Sequence, residues 1–264
     1  MQITAHTPTV LGVDTEMLSA PFDTSIINAT VGRYWRVCVV ELTGSTQNDL
    51  VSLVRAGTAS AGDVLVADYQ SAGRGRLTRS FEAPPGSALL FSLYIKPKRN
   101  SGDWGCIPLI AGVSVAQILS NFSARLKWPN DVLINEKKVA GLIAEAIEDG
   151  VVIGIGMNIG MSLDQLPVPT ATSLLIEGAR NVTRTEILVD FLNCFEEKFA
   201  AWDKGSDEFF DEYVDLSATI GREVRVEYPD EKSEVDMAVS ISRKGELVLA
   251  SGVHVQAADI IHLR

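Results

Sequence analysis

The pattern of apolar residues changes sharply near the C-terminus of this chain. Ahead of Gly221, apolar strand-like runs such as Ala88–Ile95 alternate with amphipathic helical stripes such as Thr185–Trp202. After it, four short apolar runs follow at close spacing, with Gly245 and Gly252 at turns. This change predicts an α+β body followed by a small β-barrel.

The length and composition are consistent with this division. A chain of 264 residues with 46% hydrophobic content can bury a substantial core and hold one large domain plus a small one. Residues 1–33 show no clear period and predict a partly ordered arm. We therefore predict an N-terminal arm at 1–33, a main domain at 34–216 and a small C-terminal domain at 217–264.

An arginine-rich loop, residues 69–79, follows the predicted strand Val64–Ala67. It contains Arg74, Arg76 and Arg79 together with two glycines. Glycines let a backbone turn tightly and approach a ligand, and guanidinium groups bind carboxylate or phosphate through paired hydrogen bonds. The loop is thus consistent with anion binding, and a solvated, arginine-rich hairpin is the alternative.

A second motif, Lys-Trp-Pro-Asn-Asp at residues 127–131, lies between two short predicted strands. An Asn-Asp pair after a proline is a turn signature, so an ordinary hairpin also explains it. Lys138 opens the next predicted strand, Val139–Ala146, where a lysine side chain is ordinarily solvated. Neither feature identifies a site alone.

The order of five short motifs resembles that of the biotin protein ligases. In chain order they are Gly-Ser-Thr-Gln-Asn at 44–48, Gly-Arg-Gly-Arg at 73–76 with Gln70 upstream, Lys-Trp-Pro-Asn-Asp at 127–131, Lys-Val-Ala-Gly-Leu at 138–142 and Gly-Ile-Gly-Met-Asn-Ile-Gly at 154–160. Each motif is weak alone, but five in this order and at similar spacing are a strong signal. The resemblance covers roughly residues 37–264.

The resemblance implies a fold and an activity. The fold is a mixed sheet with flanking helices, like that of class II aminoacyl-tRNA synthetases, plus a C-terminal SH3-like barrel. The implied activity is that of a biotin–[biotin carboxyl-carrier protein] ligase. Biotin and ATP, with Mg²⁺, give biotinyl-5′-adenylate and pyrophosphate, and a lysine of the biotin carboxyl carrier domain of an acyl-CoA carboxylase then takes the acyl group. The ligase would be a monomer or a weak homodimer.

The resemblance also implies roles for residues at matching positions. They are catalytic roles for Lys138, Arg74 and Arg76; biotin contacts for Ser45, Thr46, Gln47, Gln70, Arg74, Gly75, Arg76 and Lys138; nucleotide contacts for Arg76, Arg79, Phe81, Asn130 and Asn158; and a magnesium contact for Asp131. The residue types suit the chemistry. Cations neutralise the repulsion between a carboxylate and a triphosphate, and a ureido ring needs matching donors and acceptors.

Local alternatives stay open for several of these residues. Ser45 and Thr46 also suit the start of a helix. Asn158 also suits a turn, and Asp131 could cap the turn in which it lies.

Thr78 and Phe81 depart from the family's pattern, which usually has a glycine at the first place and a tryptophan near the second. Thr78 reduces the backbone freedom of the arginine-rich loop, and Phe81 offers less stacking area than tryptophan. We expect these changes to affect closure of the loop over a ligand more than the reaction itself.

Charge and hydropathy limit the partners and the location that we expect for the protein. A balance of 34 acidic and 23 basic residues gives a net charge of −11, which disfavours nonspecific nucleic-acid binding. The residues ahead of Val37 show neither a helical period nor a basic excess, so we expect no DNA-binding module.

Cys38, Cys106 and Cys194 are widely spaced and predict reduced, buried thiols. Without a signal-peptide pattern or an apolar run of about 18 residues, we expect a cytoplasmic protein with no membrane contact.

Two rival functions are open at this stage. Lipoate–protein ligases share the fold and the adenylate chemistry, but Gln70 with Ser45-Thr46, and the C-terminal barrel, favour biotin. A catalytically silent binding protein is the other rival. The joint presence of Lys138 and the two arginines of Gly-Arg-Gly-Arg argues against it, because storage alone needs no lysine at the acyl–phosphate linkage.

Overall fold

A computed structural model of the protein describes residues 15–76 and 79–263. Across these ranges, no helix is long and apolar enough to cross a membrane. The helices are α1 (Thr15–Leu18), α2 (Thr24–Thr30), α3 (Thr46–Arg55), α4 (Ile107–Ile118), α5 (Arg184–Asp203) and α6 (Phe209–Leu216), and the strands are β1 (Arg36–Thr43), β2 (Asp63–Gln70), β3 (Ala88–Ile95), β4 (Arg125–Lys127), β5 (Asp131–Ile134), β6 (Lys137–Ile147), β7 (Gly150–Asn158), β8 (Glu223–Glu227), β9 (Ser233–Ile241), β10 (Leu247–Leu249), β11 (His254–Val255) and β12 (Asp259–His262).

A seven-stranded mixed sheet forms the body, in the order β1-β2-β3-β7-β6-β5-β4. Only β1 and β2 run parallel; the other neighbours are antiparallel. Alternate residues of β3 point to opposite faces, so Phe91 packs against Phe191 of α5, while Tyr94 packs against Leu50 of α3. Both faces of β3 are therefore covered, which explains why this strand is a continuous apolar run.

A five-stranded antiparallel sheet, in the order β11-β10-β9-β8-β12, forms the C-terminal region. Its buried side chains include Val224, Leu247 and Ile260. The last of the four short runs, residues 253–262, forms two separate strands, β11 and β12, which pair with different neighbours. The predicted α+β class, with a large mixed sheet, flanking helices and a small C-terminal β region, is confirmed.

Local sequence patterns correctly predicted the position of the long helix α5. The predicted helix 185–202 is α5, and Thr183 caps it. Thr183 Oγ1 accepts from the Glu186 N–H at 3.1 Å, and the Glu186 carboxylate accepts from the Thr183 N–H at 2.7 Å. The helix α4 ends at Ile118, and a short 3₁₀ turn follows. Serine and asparagine in that turn favour non-helical backbone.

The segment 15–33 is docked on the body of the protein. Leu18 of α1 and Ile27 of α2 are each 1% exposed. Arg184 is fully buried and donates to the Ala20 carbonyl at 2.8 Å and to Asp68 Oδ1 at 2.7 Å. Two short helices, too short to show a period, lie in the segment where the sequence predicts a partly ordered arm. Residues 1–14 of that arm lie outside the described residues, and the domain boundaries stay predictions.

The three cysteines are free, as predicted, but they are not all buried. Cys106 is buried and Cys194 is partly buried, whereas Cys38 is exposed. The prediction of burial is wrong for Cys38 because β1 is an edge strand whose alternate side chains face solvent.

The C-terminal sheet contacts the body around the Lys-Trp-Pro-Asn-Asp motif. The Trp128–Pro129 peptide bond is cis. Trp128 is 1% exposed; its backbone N–H donates to Thr219 Oγ1 and its indole N–H donates to the Gly245 carbonyl, both at 3.0 Å. The motif is thus held by both parts of the chain.

Acidic pH is expected to weaken the contact between the C-terminal sheet and the body through His262. The Nε2 atom of His262 lies 3.1 Å from Thr219 Oγ1. Burial, reinforced by Lys127 and Arg222 and opposed by Glu136, lowers the pKa of His262 from 6.5 to about 4. The unfolded chain therefore binds a proton at a higher pH than the folded protein, and the free energy of unfolding should fall as the pH drops from 6.5 towards 4. Urea denaturation across this range should show a smaller pH dependence for His262→Gln, and equal slopes would contradict the assignment.

Candidate active site

The sequence motifs converge on one cavity of about 330 Å³ beside the N-terminus of α3. The cavity is lined by residues of both sheets and of the arginine-rich loop. Every predicted site residue except Asn158 lines it, namely Ser45, Thr46, Gln47, Gln70, Arg74, Gly75, Arg76, Arg79, Phe81, Asn130, Asp131 and Lys138.

Glycines in the floor of the cavity let neighbouring side chains lie directly against it. Gly141 of β6 pairs with Gly156 of β7, and Gly154 lies two residues away along β7. A Cβ added at Gly154 would lie 2.7 Å from Gln47 Oε1, and one at Gly156 would lie 2.7 Å from the Phe81 ring. Any larger residue would therefore displace the groups that face the floor.

One end of the cavity carries a row of hydrogen-bonding oxygens. Gln70 Oε1 accepts from the Thr46 N–H at 2.7 Å and from Thr46 Oγ1 at 3.0 Å. Thr46 Oγ1 lies 2.9 Å from Ser92 Oγ, which lies 3.2 Å from Gln47 Oε1. The Gln47 amide in turn donates to the Val152 carbonyl at 3.2 Å. This end is polar, buried and uncharged.

The position of Ser45 is compatible with both roles considered for it, capping a helix and contacting a ligand. It is the N-cap of α3, with its Oγ 3.5 Å from the Asn48 N–H, and it also lines the cavity. A helix start leaves backbone N–H groups without partners inside the helix, so a capping residue can border a binding site.

The other end of the cavity is cationic. Lys138 Nζ lies 2.5 Å from Asp131 Oδ1. Arg76 donates to Asn130 Oδ1 at 3.2 Å and to the Ala258 carbonyl at 3.3 Å, and burial lowers the pKa of its guanidinium from its usual value. Because arginine keeps its proton even so, Lys138 and Arg76 bring two positive charges to this end.

Lys138 is held from both sides at the start of β6. Its backbone pairs with Leu133 of β5 on one side. On the other, its N–H donates to the Thr170 carbonyl and its carbonyl accepts from the Thr172 N–H, both at 2.8 Å. The ammonium group is therefore carried on a fixed backbone.

Arg74 lines the cavity, but its guanidinium is engaged elsewhere. Its Nη1 donates to Asn48 Oδ1 at 2.6 Å and lies 3.6 Å from Glu145 Oε2. Glu145 is seven residues beyond Lys138 on β6, roughly 23 Å along the strand at about 3.3 Å per residue. The structure thus does not bring the Arg74 guanidinium together with Lys138.

The arginine-rich loop closes on itself beside the cavity. The Gly75 N–H donates to the Arg79 carbonyl at 2.8 Å, and the Phe81 N–H donates to the Gly73 carbonyl at 2.9 Å. Arg79 forms an ion pair with Asp259 of β12. The arginine side chains are thus paired with protein groups rather than only solvated. Thr78, the first departure from the family's pattern, lies outside the described residues.

Asn158 is buried outside the cavity lining. Its Nδ2 donates to the Thr172 carbonyl at 2.8 Å, and its carbonyl accepts from the Leu174 N–H at 3.1 Å. It therefore ties the end of β7 to the segment that also holds Lys138. Its predicted contact with the nucleotide stays a prediction.

Comparisons with known proteins decide the family. The model of the biotin/lipoate A/B protein ligase family matches residues 39–162. A biotin–[acetyl-CoA-carboxylase] ligase of Mycobacterium tuberculosis is 34% identical over 95% of this chain and 99% of that protein. The chain belongs to the biotin protein ligase family. The predicted family and enzyme class are confirmed, and the chain is a ligase.

One solved structure and a second relative agree with this assignment. A biotin protein ligase from Aquifex aeolicus, in complex with biotin and ATP, superposes with a TM-score of 0.72 at 29% identity, covering 87% of this ligase and 99% of that chain. The bifunctional ligase/repressor BirA of Escherichia coli is 28% identical over 81% of this ligase and 68% of that protein.

Ser92 and Asp259 line the ligase cavity but were not predicted from the sequence. Ser92 is a single serine in the otherwise apolar strand β3 and is 0% exposed, a signal that could have marked it. Asp259 comes from the C-terminal sheet and contacts Arg76 and Arg79. No local pattern links Asp259 to these arginines, because the contact depends on how the two sheets pack.

Asp259→Asn is expected to loosen the arginine-rich loop of the ligase. Asp259 Oδ1 lies 3.8 Å from Arg76 Nη1, and the same carboxylate pairs with Arg79. Without these ion pairs, trypsin should cleave the ligand-free protein within residues 74–79 about fivefold faster. Asp230→Asn removes an exposed carboxylate from the turn between β8 and β9 and should leave that rate unchanged. Equal cleavage of both variants and the wild type would contradict the role of Asp259.

Asp131 fits a role in holding magnesium. Asp131 Oδ1 is buried without an aligned hydrogen-bond donor, although the Lys138 ammonium lies close to it. Over residues 15–76 and 79–263, no group of three or more His, Cys, Asp and Glu side chains could hold a metal ion by itself. Magnesium in nucleotide sites often takes only one or two protein carboxylates, with phosphates and water as the other ligands.

Proposed function

We propose that this ligase forms biotinyl-5′-adenylate from biotin and ATP and transfers the biotinyl group to a lysine of a biotin carboxyl carrier domain. The observation that carries the proposal is one cavity with two chemically different ends. The uncharged end, around Thr46 and Gln47, suits a ureido ring, and the cationic end, around Lys138 and Arg76, suits a carboxylate and phosphates.

The glycine floor supports a specific placement of biotin. Gly154 underlies the polar row, while Gly156 pairs with Gly141, beside Lys138 Nζ. Two residues along β7 span roughly 7 Å, so a ring beside the polar row can extend its valeryl chain past Phe81 towards the cationic end. The carboxylate then lies near Lys138.

In the first half-reaction, a carboxylate oxygen of biotin attacks the α-phosphorus of ATP. The bond from that phosphorus to the bridging oxygen breaks, and pyrophosphate leaves with the electron pair. Lys138 and Arg76 neutralise the negative charge that the two reactants bring together. Arg79, which also lines the cavity, would contact the departing phosphates.

In the second half-reaction, the lysine amine of the carrier domain attacks the acyl carbon. The bond from carbon to the phosphate oxygen breaks, AMP leaves, and the amine gives up a proton to form the amide. Lys138, beside the carbonyl, polarises it and stabilises the charge that develops on its oxygen.

Magnesium, when bound, would supply positive charge to the phosphates of the nucleotide. Asp131 would hold it, either directly or through water, while Asn130 stays hydrogen-bonded to Arg76 and to the Leu142 carbonyl. The Lys138 ammonium, which pairs with Asp131, would turn towards the ligand carboxylate.

Transfer to a carrier domain tests this function directly. The ligase is incubated with ATP, Mg²⁺, biotin and a purified apo carrier domain, and the intact mass of the carrier is measured. We expect a gain of one biotinyl group, lost when the acceptor lysine is replaced by arginine, and no gain on a lipoyl domain with lipoate. The cytoplasmic location, the oligomeric state and the absence of DNA binding stay predictions.

A further inference from the structure

The direction of the Lys138 side chain depends on an irregularity in β6. Two consecutive residues of β5 pair with Ala140 and Lys138, so Val139 between them has no partner on that strand. Such a β-bulge re-aims the side chains beside it. A Cβ added at Gly141 would lie 2.9 Å from Lys138 Nζ, so these residues share one face of the sheet although they are three apart in sequence. In a regular strand they would lie on opposite faces.

This bulge is supported on its other side by a short segment, residues 170–172. The strand β7 pairs with β6 only from Ala140 onwards and does not reach Lys138. In its place, Lys138 forms the two backbone hydrogen bonds of 2.8 Å with this segment that are described above. The pairing is one residue long, so the alignment of the segment depends on contacts made elsewhere.

Glu177 makes such a contact. Its Oε1 accepts from Thr172 Oγ1 at 2.5 Å, and its Oε2 accepts from Asn135 Nδ2 at 2.6 Å. Thr172 is 0% exposed, and Asn135 lies in the turn between β5 and β6, three residues ahead of Lys138. One carboxylate therefore joins the two backbone segments that flank Lys138. Hydrogen bonds to a carboxylate are stronger than those between neutral groups, which suits this role.

We propose that Glu177 is a positioning residue for Lys138. The inference rests on the proposed function, in which the Lys138 ammonium acts in both half-reactions. Glu177 does not line the cavity, so it acts through the backbone and not on the ligands. Without its carboxylate, the bulge is free to relax towards regular pairing, which would turn the Lys138 side chain towards the opposite face of the sheet.

Replacing Glu177 in two backgrounds tests this role. In the wild-type background, at saturating biotin and ATP, we expect Glu177→Ala to slow biotinyl-adenylate formation about tenfold in a rapid-quench measurement. In a Lys138→Ala background the same replacement should change the rate by less than about twofold, because no ammonium is left to position. A replacement that only weakened the fold would slow both backgrounds alike. The Thr172 carbonyl still accepts from Asn158 in these variants, so we expect the segment to stay docked.

An exchange of donor and acceptor gives a second readout. Asn135→Asp places one carboxylate against another and should slow adenylate formation. The double variant Asn135→Asp/Glu177→Gln again pairs a donor with an acceptor and should recover most of the rate. Asn135 has a φ of 50°, a conformation that aspartate also adopts.

Glu136→Gln is the matched control for the charge. It removes the neighbouring carboxylate of the same turn, whose partner is Arg222 at 2.9 Å. The rate of adenylate formation should stay at the wild-type value in this variant. A decrease equal to that of Glu177→Ala would indicate a general effect of negative charge near Lys138 and would contradict the proposal.

Two further results would overturn the proposal: a wild-type rate in Glu177→Ala, or an equal decrease in the wild-type and Lys138→Ala backgrounds. The second would show that Glu177 supports the fold alone. If the wild type itself formed no biotinyl-adenylate, the proposed function would fail before Glu177 came into question. Should Glu177→Ala not fold, the exchange of donor and acceptor decides, and a double variant as slow as Asn135→Asp would refute the role of Glu177.

Discussion

Replacing Lys138 with alanine is expected to lower the rate of biotinyl-adenylate formation by about 10²-fold or more. Lys138 brings a positive charge to the cationic end of the cavity, and charge stabilisation at a developing anion is commonly worth that much. Rapid-quench measurement of adenylate and pyrophosphate, on enzyme saturated with biotin and ATP, isolates this step. Transfer of the biotinyl group from added adenylate should slow as well, because the same ammonium polarises the carbonyl.

Lys137→Ala is the matched control for this experiment. Lys137 is the neighbouring residue of β6, is exposed, and does not line the cavity. Its replacement should leave both rates unchanged. An equal decrease of the rate in the two variants, or a wild-type rate in Lys138→Ala, would show that Lys138 takes no part in the reaction.

Arg76→Ala is expected to reduce kcat/KM for ATP by about 10²-fold or more. The Arg76 side chain is only 21% exposed, and its guanidinium is already oriented by Asn130 and Ala258, so little freedom is lost when it contacts phosphate. Arg76→Lys should recover only part of the loss, because an ammonium cannot form the paired contact.

Arg55→Ala is the control for the arginine variants. Arg55 ends α3, its side chain is 65% exposed and its nearest charged partner is Glu145 at 3.6 Å. Steady-state kinetics with varied ATP should give the wild-type kcat/KM for this variant. A similar decrease in Arg55→Ala would indicate a general effect of charge rather than a contact made by Arg76.

Local signals in the sequence were enough to predict much of the fold. The strand β3 and the helices α3 and α5 have clear periods and capping residues, so their positions follow from a few neighbouring side chains. The helices α1 and α2 and the split of the last strand could not be predicted in this way. They depend on distant contacts, such as those of Arg184 with the N-terminal segment.

The candidate site, too, was predicted only where local sequence decides the structure. The five motifs predicted which residues line the cavity, because each motif is a short local sequence placed by the fold. The direction of the Arg74 guanidinium, the contacts of Asp259 with the arginine-rich loop and the place of Ser92 in the polar row depend on partners far along the chain. Spacing alone contains no information about such partners.

Pyrophosphate release with biotin or with lipoate tests the proposed function most directly. The purified protein is mixed with ATP and Mg²⁺ and with one acid at a time, and both pyrophosphate and the acyl-adenylate are measured. Biotin-dependent release with a matching amount of biotinyl-adenylate, and none with lipoate, is the expected result. Release with lipoate but not biotin, or with neither acid, would contradict the assignment of this cavity to biotin adenylation.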